Sequence, residues 1–259
     1  NGELLDSLQY TSNWGGDEIA LERRTVDVSG SYQSNWGDSP NGFGTPGSAN
    51  DIEPDTEAPT VEQFEILSNT ELALIFSEQL DENSAEDISN YSITDSPNIS
   101  GAQFSAPDTA LLTLDNQLQN AETYTLGIEN ITDLFGNKIS AVDTSFTYYE
   151  VSNADSGDVF VNEFNFVPPP GSTEYIEIYN TSNKSLNLQG WTLSDNRGIQ
   201  ATITNTRFIV PPDSFAVIAP DNTLLTNHPD IALTAMGNFP ALNNSGDQII
   251  VRNQSGTLL

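Results

Sequence analysis

The sequence predicts an all-β chain of sandwich-type domains, and three observations carry the prediction. Bulky and polar side chains alternate strictly along Tyr175-Ile176-Glu177-Ile178-Tyr179, the two-residue period of a half-buried strand. From residue 60 to residue 149, short apolar runs are divided by turn signals at short intervals, the spacing of a sandwich. Strand formers, Asn, Ser, Thr and Gly dominate, and long helical periodicity is absent.

Taken in order, Leu4, Leu5, Leu8 and Tyr10 suit a first strand, and Ile19-Ala20-Leu21-Glu22-Arg23 a second. The rest of residues 1–50 is rich in Gly, Ser, Asn and Pro and reads as loop. Fifty residues with so few apolar side chains cannot make a core alone. Residues 51–59, DIEPDTEAP, form an acidic linker that Pro54 and Pro59 should hold extended. Strands are expected at residues 71–76, 110–114, 124–128 and 145–148, in a domain over 60–149. A polar linker at 150–157 leads into Val159 and Val161 and the alternating 175–179 run. Between these strands Pro168-Pro169-Pro170-Gly171 cannot donate to a ladder and must be a rim loop. Leu186, Leu188, Trp191 and Leu193 supply the next strands, with Gly190 as a bend.

The 259 residues fit two domains of ordinary size. There is no cysteine, hence no disulfide framework or thiolate metal site. No apolar run approaches the roughly 20 residues a bilayer-spanning helix needs. The first residues lack a basic, apolar leader pattern, as expected of a mature product or an excerpt. Net charge is −30, from 37 acidic and 7 basic residues. Such a surface repels phosphate backbones and anionic lipid, which argues against nucleic-acid and membrane-surface partners. The charge is concentrated: residues 51–150 hold 20 Asp and Glu against Lys138 alone. Either salt adaptation and solubility or sites for divalent cations account for it.

Catalytic patterns are sparse. The lone histidine, His228, lies in NHPD beside Pro229, a loop context with no activated hydroxyl in view. No phosphate-cradling glycine loop and no zinc or EF-hand spacing occurs, and nothing singles out a catalytic carboxylate pair. The best metal candidate is the linker, where Asp51, Glu53, Asp55 and Glu57 alternate and could present calcium ligands from one side of an extended chain. The plainer reading is a solvated acidic linker. Trp14, Trp36 and Trp191 could line a glycan or peptide groove; the plainer reading places Trp191 in a core and the other two over a sandwich rim. Asp133, Gly136 and Asn137 have a structural explanation, a side-chain cap and a left-handed turn. Asn-x-Ser/Thr sequons at Asn90, Asn98, Asn130 and Asn180 are expected by chance in such a composition.

Two family resemblances sharpen this reading. NEF at 162–164, EYIEIYN at 174–180, LNLQGWTLSD at 186–195 and ALNNSGDQIIVRNQSGTLL at 241–259 resemble the first half of a lamin tail domain, an Ig-like β-sandwich. Residues 1–50, with DSLQY, GGDEIALERR, Trp36 and TPGSAN at 45–50, resemble its second half. The segments LALIFSEQLD, NYSI and ITDLFGNKI resemble the bacterial Ig-like domain of surface-layer and adhesin proteins. Asn1-Gly2-Glu3-Leu4-Leu5 aligns with Ser255-Gly256-Thr257-Leu258-Leu259, and running Leu259 on into Asp6 reads as a hairpin.

The resemblances imply tandem Ig-like sandwiches: one complete at 60–149 and one split between 1–50 and 158–259. They also imply binding or structural modules, secreted or on a bacterial surface, and no enzyme. The chain's partner is then itself. Either neighbouring repeats of a tandem array or head-to-tail subunits complete the split sandwich and give a fibre. Closure of the chain's own two ends is a third arrangement. The competing class is an adhesion or ligand-binding module using calcium or a glycan groove; a segment of a larger secreted hydrolase is the third.

Overall fold

The computed structural model describes residues 7–195 and 200–258. Its contacts divide the chain into two compact units, Asn1–Tyr148 and Tyr149–Leu259. Strands predominate in both, so the all-β expectation holds. Among the described residues, no helix is long and apolar enough to cross a membrane.

In the first unit, β1 (Leu21–Arg23) and β2 (Trp36–Asp38) pair antiparallel with each other. Leu8 and Tyr10, expected in a strand, are exposed and join no strand among the described residues. Leu4, Leu5 and the five-residue overlap of the two ends lie outside the described residues, apart from Ser255–Leu258. The turn around Asn35 compensates for the thin core: its buried Nδ2 donates to Thr25 O (2.9 Å) and Val28 O (2.8 Å).

The same unit then builds a sandwich. One sheet runs in the order β3 (Val61–Ile66), β4 (Glu71–Phe76), β7 (Thr109–Leu114), β6 (Ile99–Ser105); the other runs β5 (Tyr91–Ile93), β8 (Thr123–Ile128), β9 (Val142–Thr147). All neighbours are antiparallel. Leu72, Leu74 and Phe76 of β4 and Leu112 of β7 bury against Tyr91, Tyr124, Leu126 and Ile128 of the facing sheet. The first and last strands, β3 and β9, are edges of different sheets. One helical turn, α1 (Glu82–Glu86), is started by Asp81, whose Oδ1 accepts the Ser84 amide at 2.9 Å.

The second unit has a four-stranded sheet ordered β10 (Val159–Asn165), β11 (Tyr175–Asn180), β16 (Ser214–Ala219), β17 (Leu233–Ala235). Facing it are β14 (Gln200–Thr202), β13 (Thr192–Ser194) and β18 (Ile250–Arg252), and the short pair β12 (Leu186–Asn187) with β15 (Ile209–Val210). The predicted alternation is explicit in β11: Ile176, Ile178 and Asn180 are buried while Tyr175, Glu177 and Tyr179 are partly exposed. Ile176, Ile178 and Ile218 pack against Leu193, Val251 and Trp191. Asn180, fully buried, donates from Nδ2 to the carbonyls of Lys184 (2.7 Å), Val210 (3.0 Å) and Pro211 (2.8 Å), tying the strand end to two loops.

Candidate functional site

The first unit holds a convergent group of carboxylates. Asp55, Glu78 and Asp133 each bring an oxygen within 4.8 Å of the others. Asp55 comes from the stretch before β3, Glu78 from the turn after β4, and Asp133 from the loop after β8. Asp133 is the fixed member: only 1 % exposed, its Oδ1 accepts the amides of Phe135 and Asn137 at 2.8 Å each. Gly136, at φ +87°, supplies the left-handed step that lets the loop close around it, as the sequence predicted. Burial, then the charges of Asp133, Asp55 and Glu57, push the Glu78 carboxyl up to about 7.

The four linker carboxylates predicted as calcium ligands go to different places. Asp55 alone joins the convergent group. Asp51 is held by Glu22 instead, and their shared hydrogen bond, with burial, raises the Asp51 carboxyl. Glu22, buried, also accepts the amides of Asp51 and Ile52 at 3.1 Å each. The Glu53 carbonyl accepts from Arg24 Nη1 at 2.6 Å. Glu57 is exposed, its amide donating to Asp55 Oδ1 at 3.0 Å. Residues 51–59 are therefore tethered rather than a free linker, with the Asp55 carbonyl accepting from Asn137 Nδ2 at 3.1 Å. Sequence reading missed Glu78, which no spacing ties to residue 55 or 133, and took Asp133 as a turn residue only.

Other expected positions are placed plainly. His228 is exposed on the loop after a short 3-10 turn. Trp191 is core, 4 % exposed. Trp36 is half-buried with Nε1 on the Gly30 carbonyl at 2.9 Å, and Trp14 is also half-buried. Asn90 and Asn180 are buried, so those two sequons are structural.

The second unit carries a different feature, an inner sheet face left uncovered among the described residues. Val161 and Phe164 of β10 are register partners of Ile178 and Ile176, on the core side of their sheet. Their partners are 1 % and 0 % exposed, yet Val161 is 40 % and Phe164 52 % exposed. Among the described residues the facing sheet ends at β18, and a groove of about 770 Å³ is lined by Val161, Phe164, Phe166 and residues 242–249, whose middle, 243–248, is polar. A second hollow continues it along Phe160, Val251 and Leu258. At Leu258 the backbone has already turned back: Arg252 and Leu258 form an antiparallel bridge across the turn at Gly256, whose φ is +83°.

Residues 152–259 match the lamin tail domain. Residues 50–148 match a bacterial Ig-like domain. Neither of these matches reaches residues 1–49. Among solved structures, the N-terminal part of the bacterial S-layer protein SbsC aligns at 17 % identity over 63 % of this chain and 44 % of that one, with a TM-score of 0.36. Domains 1–6 of surface layer protein SbsC align at 15 % identity over 78 % and 34 % of the two chains, with a TM-score of 0.35. The chain thus spans less than half the length of these structures. No curated protein sequence matches it.

Proposed function

We propose that the chain is a non-enzymatic structural module: a repeat of a secreted or cell-surface bacterial fibre. In it, lamin-tail-like and Ig-like sandwiches alternate, and strands of a neighbouring repeat or subunit complete the lamin-tail-like one. The observation that carries this reading is the uncovered inner face of β10. A sandwich that leaves Val161 and Phe164 open on its core side has a vacancy for further strands. In sequence, residues 1–50 resemble the other half of that domain. Heterologous pairing of one end with the other propagates as a filament unless the rotation closes a ring. The adjoining matches supply one domain of each kind, and the strongly acidic composition suits exposure to an ionic medium.

The test is electron microscopy of the native material with subunit connectivity traced. Regular fibres in which residues 1–50 of one unit complete the sandwich of the next are the expected result. Discrete particles with each chain closed on itself would sink the proposal.

One observation favours a second reading, a calcium-dependent adhesion or binding module. The Asp55, Glu78 and Asp133 oxygens converge as hard-cation ligands do, beside the Asp55 carbonyl. Under that reading the cation would draw the tethered 51–59 stretch onto the Ig-like sandwich. Calcium titration by calorimetry, with magnesium as comparison, discriminates it.

A further inference from the structure

The loop after β2 presents the most exposed large apolar side chain among the described residues, Phe43 at 91 %. It is held out on a shaped tip. Gly42 and Gly44, on either side, take left-handed backbone angles, φ +78° and +76°. The Phe43 amide donates to Asn41 Oδ1 at 2.8 Å, and the Gly42 carbonyl accepts the amide of Ala20, next to β1, at 3.0 Å. A phenyl ring kept in water on a preorganised tip gives up little freedom when it docks, which is the property of an interface anchor.

The groove of the second unit is its complement. Val161, Phe164 and Phe166 give it an apolar wall, residues 243–248 give it a polar one, and its volume of about 770 Å³ takes a group of that size. Charge narrows the choice of occupant. The chain carries net charge −30, so two copies repel unless the elements that touch are near neutral. Residues 39–50, SPNGFGTPGSAN, hold no charged residue and set one aromatic ring among uncharged polar groups. Among the described residues lining the groove, Asp247 alone is charged, and its Oδ2 accepts the amide (3.1 Å) and Nδ2 (2.6 Å) of Asn243 within its own loop. We propose that this groove is the seat of Phe43 of a second copy of this chain, with the ring on Val161, Phe164 and Phe166 and the flanking loop along residues 243–248. The contact is made by side chains and leaves the hydrogen bonds of the donor loop in place. It rests on the assembly reading above and names an anchor for it.

The test keeps an aromatic ring at the position. Chains carrying Phe43→p-benzoylphenylalanine are mixed with isotopically heavy native chains, irradiated, and the adducts mapped by mass spectrometry. Val26→p-benzoylphenylalanine, at a site 82 % exposed, is the control. The expected result is a light–heavy adduct between position 43 and residues 161–166 or 242–249, in clear excess over the control. In parallel, Phe43→Ser should weaken association of the 259-residue chain, measured by sedimentation, about tenfold or more at an unchanged melting temperature, and Phe43→Leu should restore most of it. Control-level adducts overturn the inference, as does association that Phe43→Ser leaves unchanged. Groove adducts confined to single chains also overturn it, because the chain's own loop is then the occupant. Microscopy separates the two levels: fibres without the position 43 adduct refute this seat and leave the assembly reading standing, whereas light–heavy groove adducts in discrete closed particles uphold the seat and refute the fibre.

Discussion

Asn137 holds both oxygens of Asp133: its amide donates to Oδ1 and its Nδ2 to Oδ2, each at 2.8 Å. The pair locks a buried charge to the loop that follows β8, and it does so from within five residues of sequence. Replacing Asp133 with Ala strands the Phe135 and Asn137 amides in a buried site. The expected cost is about 2–3 kcal/mol, given that hydrogen bonds to charged groups exceed neutral ones. Urea denaturation of the 259-residue chain measures it; a loss under about 0.5 kcal/mol would show the loop can relax around the gap.

Glu78 sets a pH dependence of known sign. Its carboxyl is raised from 4.5 in the unfolded chain to about 7 in the fold. Below the unfolded value the group is protonated in both states and its contribution is complete. As pH climbs through this interval the unfolded chain gives up the proton first, so stability falls until the folded value is passed. Thermal unfolding between pH 4.5 and 8 should show this decline for the first unit, and Glu78→Gln should flatten it.

Calcium should reverse the loss seen as pH rises past 7 if the carboxylate group binds it. At pH 8, saturation at about 100-fold the dissociation constant adds about 2.7 kcal/mol through mass action. The melting temperature of the native sequence should rise with calcium, and that of Glu78→Gln should rise far less. An equal rise in both would move the cation elsewhere.

Asn180 ties together the end of β11 and two loops of the second unit. Asn180→Ala leaves three backbone carbonyls without their shared donor, for an expected loss of about 2 kcal/mol or more. Asn180→Asp should be no better, because a carboxylate cannot donate to them. Chemical denaturation followed by Trp191 fluorescence reports both.

Trp191→Ala and Trp36→Phe should separate core from rim. The first empties a core position and is expected to cost about 3–5 kcal/mol. The second forfeits the bond to the Gly30 carbonyl, about 1 kcal/mol. Comparable losses would mean that Trp36 is anchored more firmly than its single hydrogen bond implies.

What the sequence disclosed was whatever a few neighbouring residues decide. The alternation of 175–179 and the Asp133–Gly136 turn were legible because their partners lie within one strand or loop. The edge strands β3 and β6 were not, because a bulge between Val61 and Gln63, and another between Ile99 and Gly101, breaks their two-residue period. Turn α1 was hidden for a different reason: five residues, ENSAE, contain too little apolar surface to show a helical face. At the carboxylate group, residues 55, 78 and 133 come from three connections, and no local pattern joins them. The exposure of Val161 and Phe164 likewise depends on where a facing sheet stops, a property of the assembled layers.

The placement of β3 and β9 at the edges of separate sheets has a mechanical side. Tension applied at Val61 and Thr147 finds no ladder of hydrogen bonds running directly between the two strands. It crosses from one sheet to the other through side chains, among them the Phe64–Phe146 ring pair at 4.9 Å and the core formed by Leu72, Leu74, Phe76, Tyr124 and Leu126. Such contacts are non-directional and yield gradually. In a linked series of these domains, the Ig-like sandwich would act as the compliant segment, absorbing extension by letting its two layers slide.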